Sequence, residues 1–489
     1  MISFELFLVA ASLFTPDFLV AAFLPLSQWQ RHASTTATTT TAVFLEKTSS
    51  DFRLAHRLDG LDKPTVWHEF TPLANLNNAI NLGQGFPDWD PPEFALEAMR
   101  QSISVAPTEG GRRANQYTRS AAHLPLAQVL AQEYSERFQR DINPETQIAT
   151  AVGCTNALYC VMQGLLNPGD EVLLLEPAFD IYTAAVQMAA GVPVYCPLRP
   201  QSDNENSMQS ASQHFTLDLD ELDSHLSPKT KLLLLNTPHN PTGKIFSREE
   251  LMGISKLLHD KYPHVIVISD EVYEHIVFDN DKEPHISPAT IPGMWDRTLT
   301  LSSAGKTFSC TGWKVGWAVG PAPLVQALMA VQQWVNFSSP TPNQDAIAQC
   351  LQQAKLPYQG FDSYYQYLAE DYHGKRDLLV TALRAGGMTP IVPGGGFFIM
   401  ADTSNLSDDM WVHDFPNEIT AAMPANPMPR DWALSRWMTR KVGVTAIPPS
   451  AFYSHTNVAL AQNLLRFAYC KSNDTLLEAQ KRFETYFQK

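Results

Sequence analysis

Short apolar runs alternate with longer segments of helical spacing through the middle of the chain. The runs are residues 172–175, 232–235, 265–268 and 299–301. An uninterrupted apolar run suits a strand that is covered on both faces. Because helix-length segments separate the runs, we predict crossover connections and therefore a mainly parallel sheet between two layers of helices. The predicted fold class is α/β.

One amphipathic helix is predicted ahead of the first run. Thr155 is its predicted N-cap, and the Asn-Pro-Gly-Asp sequence at residues 167–170 ends it. Its apolar positions recur at helical spacing and are Leu158, Val161, Met162, Leu165 and Leu166. Residues 200–214 and 402–429 are predicted to be irregular surface insertions, because the first is rich in Ser, Gln and Asn and the second in acids and prolines.

Composition narrows the classes of function. The chain has 489 residues, 44% of them hydrophobic and 17% charged, which is typical of a folded protein of two or three domains. A formal net charge of -15 argues against a broad basic face for nucleic acid. The six cysteines contain no Cys-x-x-Cys pair, which argues against a disulfide framework or a zinc site and favours a reducing compartment.

The first fifty residues differ from the rest. Residues 4–26 are apolar but are interrupted by Glu5, Pro16 and Asp17, so no uncharged run reaches the length of a membrane span. Residues 34–41 form a Ser/Thr/Ala tract. We predict that residues 1–50 are a targeting or disordered leader, with the cytoplasm or the mitochondrion as the expected location and no membrane partner.

Chemically distinctive side chains follow each of the four apolar runs. Phe179 follows the first run, Asn240 the second, Asp270 and Tyr273 the third, and Lys306 the fourth. The carboxyl ends of parallel strands meet at one edge of a sheet, so a single crevice is expected to collect these side chains.

This set matches the needs of pyridoxal 5'-phosphate. The aldehyde of that cofactor requires a lysine, its ring nitrogen an anion, its ring an aromatic face and its phenolic oxygen hydrogen-bond donors. Its phosphate could bind the backbone amides of Cys154 and Thr155 at the predicted helix N-terminus, together with Ser303 and Lys314. No metal site is predicted.

Six motifs carry a resemblance to a known family. They are "NLGQGFPD", "NQYT", "NTPHNPTGK", "SDEVY", "SSAGKTFSCTGWKVGW" and "RFAY". The chain resembles the fold-type I, class I/II aminotransferases from about Phe52 to its end, and within them the kynurenine aminotransferase, glutamine transaminase K and cysteine-conjugate β-lyase group. The resemblance implies an arm with part of the small domain at 51–97, a large cofactor domain at 98–355 and a small α/β domain at 356–489.

The resemblance also implies a role for each site residue. Lys306 would form the Schiff base and act as general base, with Asp270 on the pyridine nitrogen, Asn240 and Tyr273 on the phenolic oxygen, Phe179 stacked on the ring, and Ser303 and Lys314 on the phosphate. Arg466 would hold the substrate carboxylate, and Trp67 and Gly85 would border the substrate. Tyr117 would reach the phosphate of a neighbouring subunit in a homodimer.

The implied reaction is a ping-pong transfer from an L-amino acid to a 2-oxo acid, of the kynurenine–oxoglutarate transaminase type. Kynurenine, glutamine, and aromatic or sulfur-containing amino acids are the implied donors. The segment Cys154-Thr155-Asn156 departs from the Gly-aromatic-Gly usual in the group, which leaves substrate preference open. Cysteine-conjugate β-lyase as the main activity and a non-catalytic binding protein stay as alternatives. A dinucleotide dehydrogenase is disfavoured, because Gly83-Gln84-Gly85 lacks a third glycine and Pro87 follows.

Overall fold

The computed structural model describes residues 54–104, 115–200, 210–279, 282–411, 420, 422–423 and 428–487. The predicted leader at 1–50 lies outside these residues, as do residues 412–419, 421 and 424–427 of the predicted insertion at 402–429. Residues His56–Lys489 cluster as one unit. The domain boundaries at 97/98 and 355/356 stay predictions.

The strands are numbered in chain order. They are β1 (Ile80–Asn81), β2 (Ile148–Val152), β3 (Glu171–Glu176), β4 (Val192–Pro197), β5 (Arg199–Pro200), β6 (Phe215–Thr216), β7 (Thr230–Asn236), β8 (Ile266–Asp270), β9 (Thr298–Ser303), β10 (Val315–Val319), β11 (Thr389–Ile391), β12 (Phe398–Asp402), β13 (Val444–Thr445) and β14 (Leu464–Ala468).

The α-helices among the described residues fall between these strands and at both ends of the described chain. They are Val66–Leu76, Glu93–Ser104, Leu124–Phe138, Gly153–Leu165, Asp180–Met188, Ala211–His214, Leu219–His225, Arg248–Asp260, Ala304–Thr307, Ala322–Val335, Thr341–Gln353, Tyr364–Ala385, Arg430–Trp437 and Asn473–Phe487. None of the helices in this described part has both the length and the apolar composition that crossing a bilayer requires.

A seven-stranded sheet has the order β2-β10-β9-β8-β7-β3-β4, and β10 runs antiparallel to both of its neighbours. The pairs from β9 to β4 are all parallel. The four apolar runs of the sequence correspond to β3, β7, β8 and β9, so the prediction of a mainly parallel sheet is confirmed.

Helices cover both faces of this sheet, as the continuous apolar runs require. Leu234 of β7 lies in the same buried cluster as residues of the helix Gly153–Leu165. The next residue, Leu235, points the other way and packs in a cluster with residues of the helix Arg248–Asp260. Successive side chains of a strand point to opposite faces, so a strand buried on both sides reads as an unbroken apolar run.

A second sheet lies in the C-terminal part of the chain. It has the antiparallel order β11-β12-β14, and Met400 of β12 pairs with Arg466 of β14. Near the start of the described chain, β1 pairs in parallel with β13, with Ile80 opposite Val444. Residues from the two ends of the chain therefore build neighbouring parts of the molecule.

Two local predictions were wrong. The helix predicted to begin after Thr155 begins at Gly153, with Val152 as its N-cap, so Thr155 lies in the first turn. The predicted insertion at 200–214 ends in a short helix, Ala211–His214, because the Ser210 hydroxyl accepts a hydrogen bond from the Gln213 backbone amide at 3.4 Å and so caps it.

Candidate active site

A cavity of about 550 Å³ brings the sequence-predicted residues together. Asp270 and Ser303, the last residues of β8 and β9, line it together with Tyr273 and Lys306, which follow these strands. The sequence predicted this grouping at the carboxyl ends of the strands. All of the predicted site residues except Tyr117 line it: Trp67, Gly85, Cys154, Thr155, Phe179, Asn240, Asp270, Tyr273, Ser303, Lys306, Lys314 and Arg466.

Tyr117 lies elsewhere on this chain. Its side chain is 83% exposed, and its ring packs against Phe337 with the ring centroids 5.0 Å apart. Its predicted contact with a neighbouring subunit stays a prediction.

Lys306 lies in the short helix Ala304–Thr307, directly after β9. Its Nζ donates a hydrogen bond to the Gly85 carbonyl oxygen at 3.0 Å and lies 5.0 Å from the centre of the Phe397 ring. Burial lowers the pKa of this amine, because desolvation penalises the charged form. A larger fraction of the amine is therefore neutral and nucleophilic at physiological pH.

Asp270 ends β8 and is 4% exposed. Its Oδ2 accepts a hydrogen bond from the Tyr182 hydroxyl at 2.8 Å, and its Oδ1 accepts one from the Val272 backbone amide at 3.3 Å. The Cys154 thiol is 3.7 Å from the same Oδ1. Burial raises the pKa of Asp270 to about 6. No cation of the described residues forms a salt bridge with this carboxylate, so a cationic ligand group would stabilise its charged form.

The start of the helix Gly153–Leu165 forms an anion-binding corner. Gly153 has φ +79°, and a Cβ added there would lie 3.1 Å from Lys314 Nζ, so the ammonium group lies against the first turn. The backbone amides of Cys154 and Thr155 are in that turn, where no intrahelical acceptor exists. With Ser303 at the end of β9, they offer donors and positive charge to a phosphate.

Arg466 on β14 is a buried cation without a carboxylate salt-bridge partner among the described residues. It is 1% exposed and donates hydrogen bonds to the Gly83 carbonyl oxygen at 2.8 Å and to Asn240 Oδ1 at 3.2 Å. Its Nε has no hydrogen-bond partner in the described part of the chain. Burial lowers the pKa of Arg466 to about 10, which leaves it charged at neutral pH. The guanidinium is therefore available to an anionic ligand.

Three aromatic rings surround this guanidinium. Its Cζ lies 4.2 Å from the ring centre of Phe398, 4.9 Å from that of Phe452 and 5.2 Å from that of Trp67. Aromatic faces stabilise a cation that has lost its water. The sequence did not predict this arrangement, because the three rings come from distant parts of the chain.

Asn240 and Tyr273 complete the wall beside Lys306. The Asn240 backbone amide donates to Asn236 Oδ1 at 2.7 Å, and Asn236 Nδ2 donates to the Asp270 carbonyl oxygen at 2.9 Å, which ties the ends of β7 and β8 together. Burial raises the pKa of Tyr273, so its hydroxyl stays a neutral donor. Phe179 lies across the cavity, edge-to-face with Tyr182 at 5.8 Å.

Among the cavity residues that the sequence analysis did not assign, two form hydrogen bonds to other residues of the wall. Tyr182 is the donor to Asp270, and Asp180 accepts a hydrogen bond from the Trp67 indole at 3.0 Å. Both lie within one helical turn of Phe179, at the start of the helix Asp180–Met188. The spacing was an available signal for Tyr182, since residues three apart, such as Phe179 and Tyr182, lie on the same face of a helix.

Comparison with known proteins agrees with this geometry. The model of the family described as "Aminotransferase class I and II" matches residues 77–483. The chain is 42% identical to a kynurenine–oxoglutarate transaminase of Dictyostelium discoideum, over 85% of this chain and 92% of that one. It is 40% identical to kynurenine–oxoglutarate transaminase 3 of Mus musculus, over 90% of this chain and 91% of that one. A solved methionine aminotransferase of Escherichia coli matches with a TM-score of 0.75 and 30% identity, over 89% of this chain and 100% of that one.

Proposed function

The chain belongs to the class I and II aminotransferases, and we propose that it transfers the amino group of kynurenine, or of a glutamine-like, aromatic or sulfur-containing L-amino acid, to a 2-oxo acid such as 2-oxoglutarate. It is a pyridoxal phosphate-dependent enzyme with the fold-type I architecture of that family. The proposed donor and acceptor are supported by relatives named kynurenine–oxoglutarate transaminase at about 40% identity over most of the chain.

One observation carries this proposal. Lys306, Asp270 and Arg466 line the same cavity, and within the described part of the chain neither cation forms a salt bridge with a carboxylate. A structural arginine as buried as Arg466, which is 1% exposed, is normally paired with an acid. Two unpaired cations beside an unpaired carboxylate suit a ligand that carries both signs of charge.

The cavity fits pyridoxal phosphate. Asp270 would hold the protonated ring nitrogen, Phe179 the ring face, Asn240 and Tyr273 the phenolic oxygen, and Lys306 the aldehyde carbon. The phosphate would lie at the anion-binding corner of Cys154, Thr155, Ser303 and Lys314. When bound, the cofactor supplies an aldehyde for attachment of an amine and a protonated ring that draws electrons from the attached substrate.

Side chains of the protein would bind the substrate and transfer the proton. Arg466 binds the substrate carboxylate through two parallel N–H donors, and this fixes the orientation of Cα. Lys306 Nζ would take the proton from Cα as a general base. Its lowered pKa keeps enough of the amine neutral for that task. The same Arg466 contact serves the 2-oxo acid in the second half of the ping-pong cycle.

A donor and acceptor panel tests the proposal. The protein loaded with cofactor is mixed with kynurenine, glutamine, phenylalanine or methionine, and the cofactor absorbance is followed. We expect the absorbance of the amine form to appear with at least kynurenine and to be reversed by 2-oxoglutarate or another 2-oxo acid. Lys306→Ala is the matched negative control. An unchanged spectrum with every donor would overturn the proposal.

We also propose that the enzyme acts as a homodimer in which Tyr117 completes the partner's phosphate site. The exposed pair of Tyr117 and Phe337 supports this, because the two rings pack on each other and are 83% and 53% exposed. Large exposed aromatic side chains that lie together favour a protein interface.

The location of the enzyme is a separate proposal. We infer that it works in the cytoplasm or the mitochondrion, from its cysteine usage and the composition of residues 1–50. A fluorescent fusion to the C-terminus of the full chain tests this, and accumulation in the secretory pathway would contradict it.

A further inference from the structure

A hydrogen bond across the cavity wall connects two helices that are far apart in sequence. Trp67 Nε1, on the helix Val66–Leu76, donates to Asp180 Oδ2 at 3.0 Å. Asp180 is the first residue of the helix Asp180–Met188. Both side chains line the cavity that holds Arg466. The bond therefore fixes the position of one cavity wall relative to the sheet.

Trp67 is the least fixed of the three rings around Arg466. Phe398 and Phe452 are buried in the core, whereas Trp67 is half-buried at the cavity wall. The indole N–H offers one hydrogen bond, and Asp180 accepts it. Loss of that acceptor would free the indole to rotate away from the guanidinium, while the two phenylalanines stayed in place.

Asp180 is an unusual residue for a cavity wall. Its Oδ1 is buried and accepts no hydrogen bond from the described residues, and burial raises the pKa of its carboxyl. The carboxylate also attracts the Arg466 cation electrostatically, although the two side chains form no salt bridge. Backbone amides at the helix start, those of Asp180 and Ile181, favour the charged carboxylate. An acid at an exposed position of the first turn would favour the helix equally well, so helix stability alone does not require this acid to face the cavity.

We propose that Asp180 is a positioning residue for the substrate carboxylate. It holds the Trp67 ring against Arg466, so that the guanidinium stays charged and correctly oriented in the absence of a protein carboxylate. This role rests on the proposed function, because it acts through the Arg466 grip on the substrate.

Direct binding of a carboxylate tests this role independently of turnover. The probe is 3-phenylpropanoate, which carries the carboxylate and a ring but no amine, and so cannot react with the cofactor. Its dissociation constant is measured by titration calorimetry on the cofactor-loaded full chain. Arg466→Ala identifies the part of the binding that depends on the guanidinium.

Four variants separate the hydrogen bond from the charge. Asp180→Ala removes both, Asp180→Asn keeps an oxygen that can accept from the indole, Trp67→Phe keeps a ring without the N–H, and the double variant combines Asp180→Ala with Trp67→Phe. We expect Asp180→Ala and Trp67→Phe each to weaken binding of the probe by about tenfold. The double variant should bind no more weakly than either, because the two changes break one interaction. Asp180→Asn should stay within about threefold of the native protein.

Kinetics and a matched control exclude a merely structural role. Asp180→Ala should raise KM for the amino donor and the 2-oxo acid alike and leave kcat nearly unchanged. This is the expected result when an interaction common to the ground state and the transition state is lost. Glu249→Gln also removes an acid from the first turn of a helix, Arg248–Asp260, but it is exposed and does not line the cavity. It should leave the dissociation constant unchanged. Thermal unfolding of each variant verifies that it is folded.

The outcomes distinguish the two proposals. Native affinity in Asp180→Ala, or additive losses in the double variant, would overturn the positioning role and leave the proposed function intact. If the native protein failed to bind the probe, both the Arg466 grip and the role of Asp180 would be overturned.

Discussion

Two lysines line the cavity in different surroundings, and their side chains can be tested separately. Lys306 is half-buried beside Gly85 and Phe397, whereas Lys314 is exposed at the helix corner. We expect Lys306→Ala to bind the cofactor without a covalent link, so that borohydride fixes none of it to the protein. Lys314→Ala should retain the reducible link but bind the cofactor more weakly, because one phosphate contact is lost. Mass spectrometry after reduction checks both, and cofactor fixed to the Lys306→Ala variant would refute the assignment.

Asp270 links activity to stability. The pKa of this carboxyl is raised from 3.8 to about 6 in the cofactor-free fold, so folding with a charged Asp270 is unfavourable. The folded state then binds the proton more tightly than the unfolded state, and the stability from this group is full at low pH and is lost as the pH rises through about 6.

Asp270→Asn should therefore stabilise the cofactor-free protein while it abolishes most of the transamination. A shift of this size corresponds to about 3 kcal/mol at pH 7.5, and the gain should fall to roughly half at pH 5. Urea unfolding of the cofactor-free protein at the two pH values measures it. A stability gain that did not shrink at the lower pH would show that another effect of the amide is responsible.

Site residues that could be predicted from the sequence differ from those that could not in how their positions are determined. Lys306, Asp270 and Asn240 were predictable, since each lies within five residues of the end of an apolar run that predicted a strand. Tyr182 was not assigned a role, because its spacing from Phe179 could place it near the cavity but could not identify its acceptor, Asp270, which lies 88 positions away. Pairings of this kind depend on the fold, which the local pattern does not contain.

Among the elements, the helix Gly153–Leu165 shows the limit of a local pattern. Its apolar positions and its end were predicted from the sequence, but its N-cap was placed three residues too late, at Thr155 instead of Val152. A Thr side chain suggested a cap, whereas the chain enters the helix through Gly153 in a left-handed conformation that glycine adopts without strain. The short helix Ala211–His214 was missed because four residues are too few to show periodicity.

Gly153→Ala tests whether the start of the helix Gly153–Leu165 binds the cofactor phosphate. The positive φ would cost about 1–2 kcal/mol for any L side chain, and here the added methyl group also crowds Lys314 Nζ. Gly169→Ala is a matched control, because its φ of +89° imposes similar strain but nothing lies within 4 Å of the added carbon. We expect similar losses of thermal stability in the two variants and about tenfold weaker cofactor binding in Gly153→Ala alone. Equal affinities would contradict a phosphate site at this helix start.

At the scale of the whole molecule, the proposed homodimer can be tested with mixed subunits. If Tyr117 serves the partner's site, Lys306→Ala and Tyr117→Ala should each be impaired as pure proteins. Mixed subunits should regain activity, because one site of each hybrid then combines a native Lys306 with a native Tyr117.

Random mixing should restore about one quarter of the sites, since half of the dimers are hybrid and each holds one complete site. Subunits are exchanged in mild denaturant, and turnover is compared with that of the unmixed variants. Mixtures no more active than the sum of their parts would contradict a shared site.

The pairing of β1 with β13 has a consequence for biosynthesis. Ile80 and Asn81 leave the ribosome hundreds of residues before Val444 and Thr445, which they pair with. Trp67 and Gly85 flank this strand, and Arg466 comes still later, so the pocket cannot be completed before the segment that contains β13 and β14 has been made. A nascent chain must hold its early segment without its strand partner until Val444 and Thr445 have been made, and messages that stop short of Val444 should yield products that never retain the vitamin.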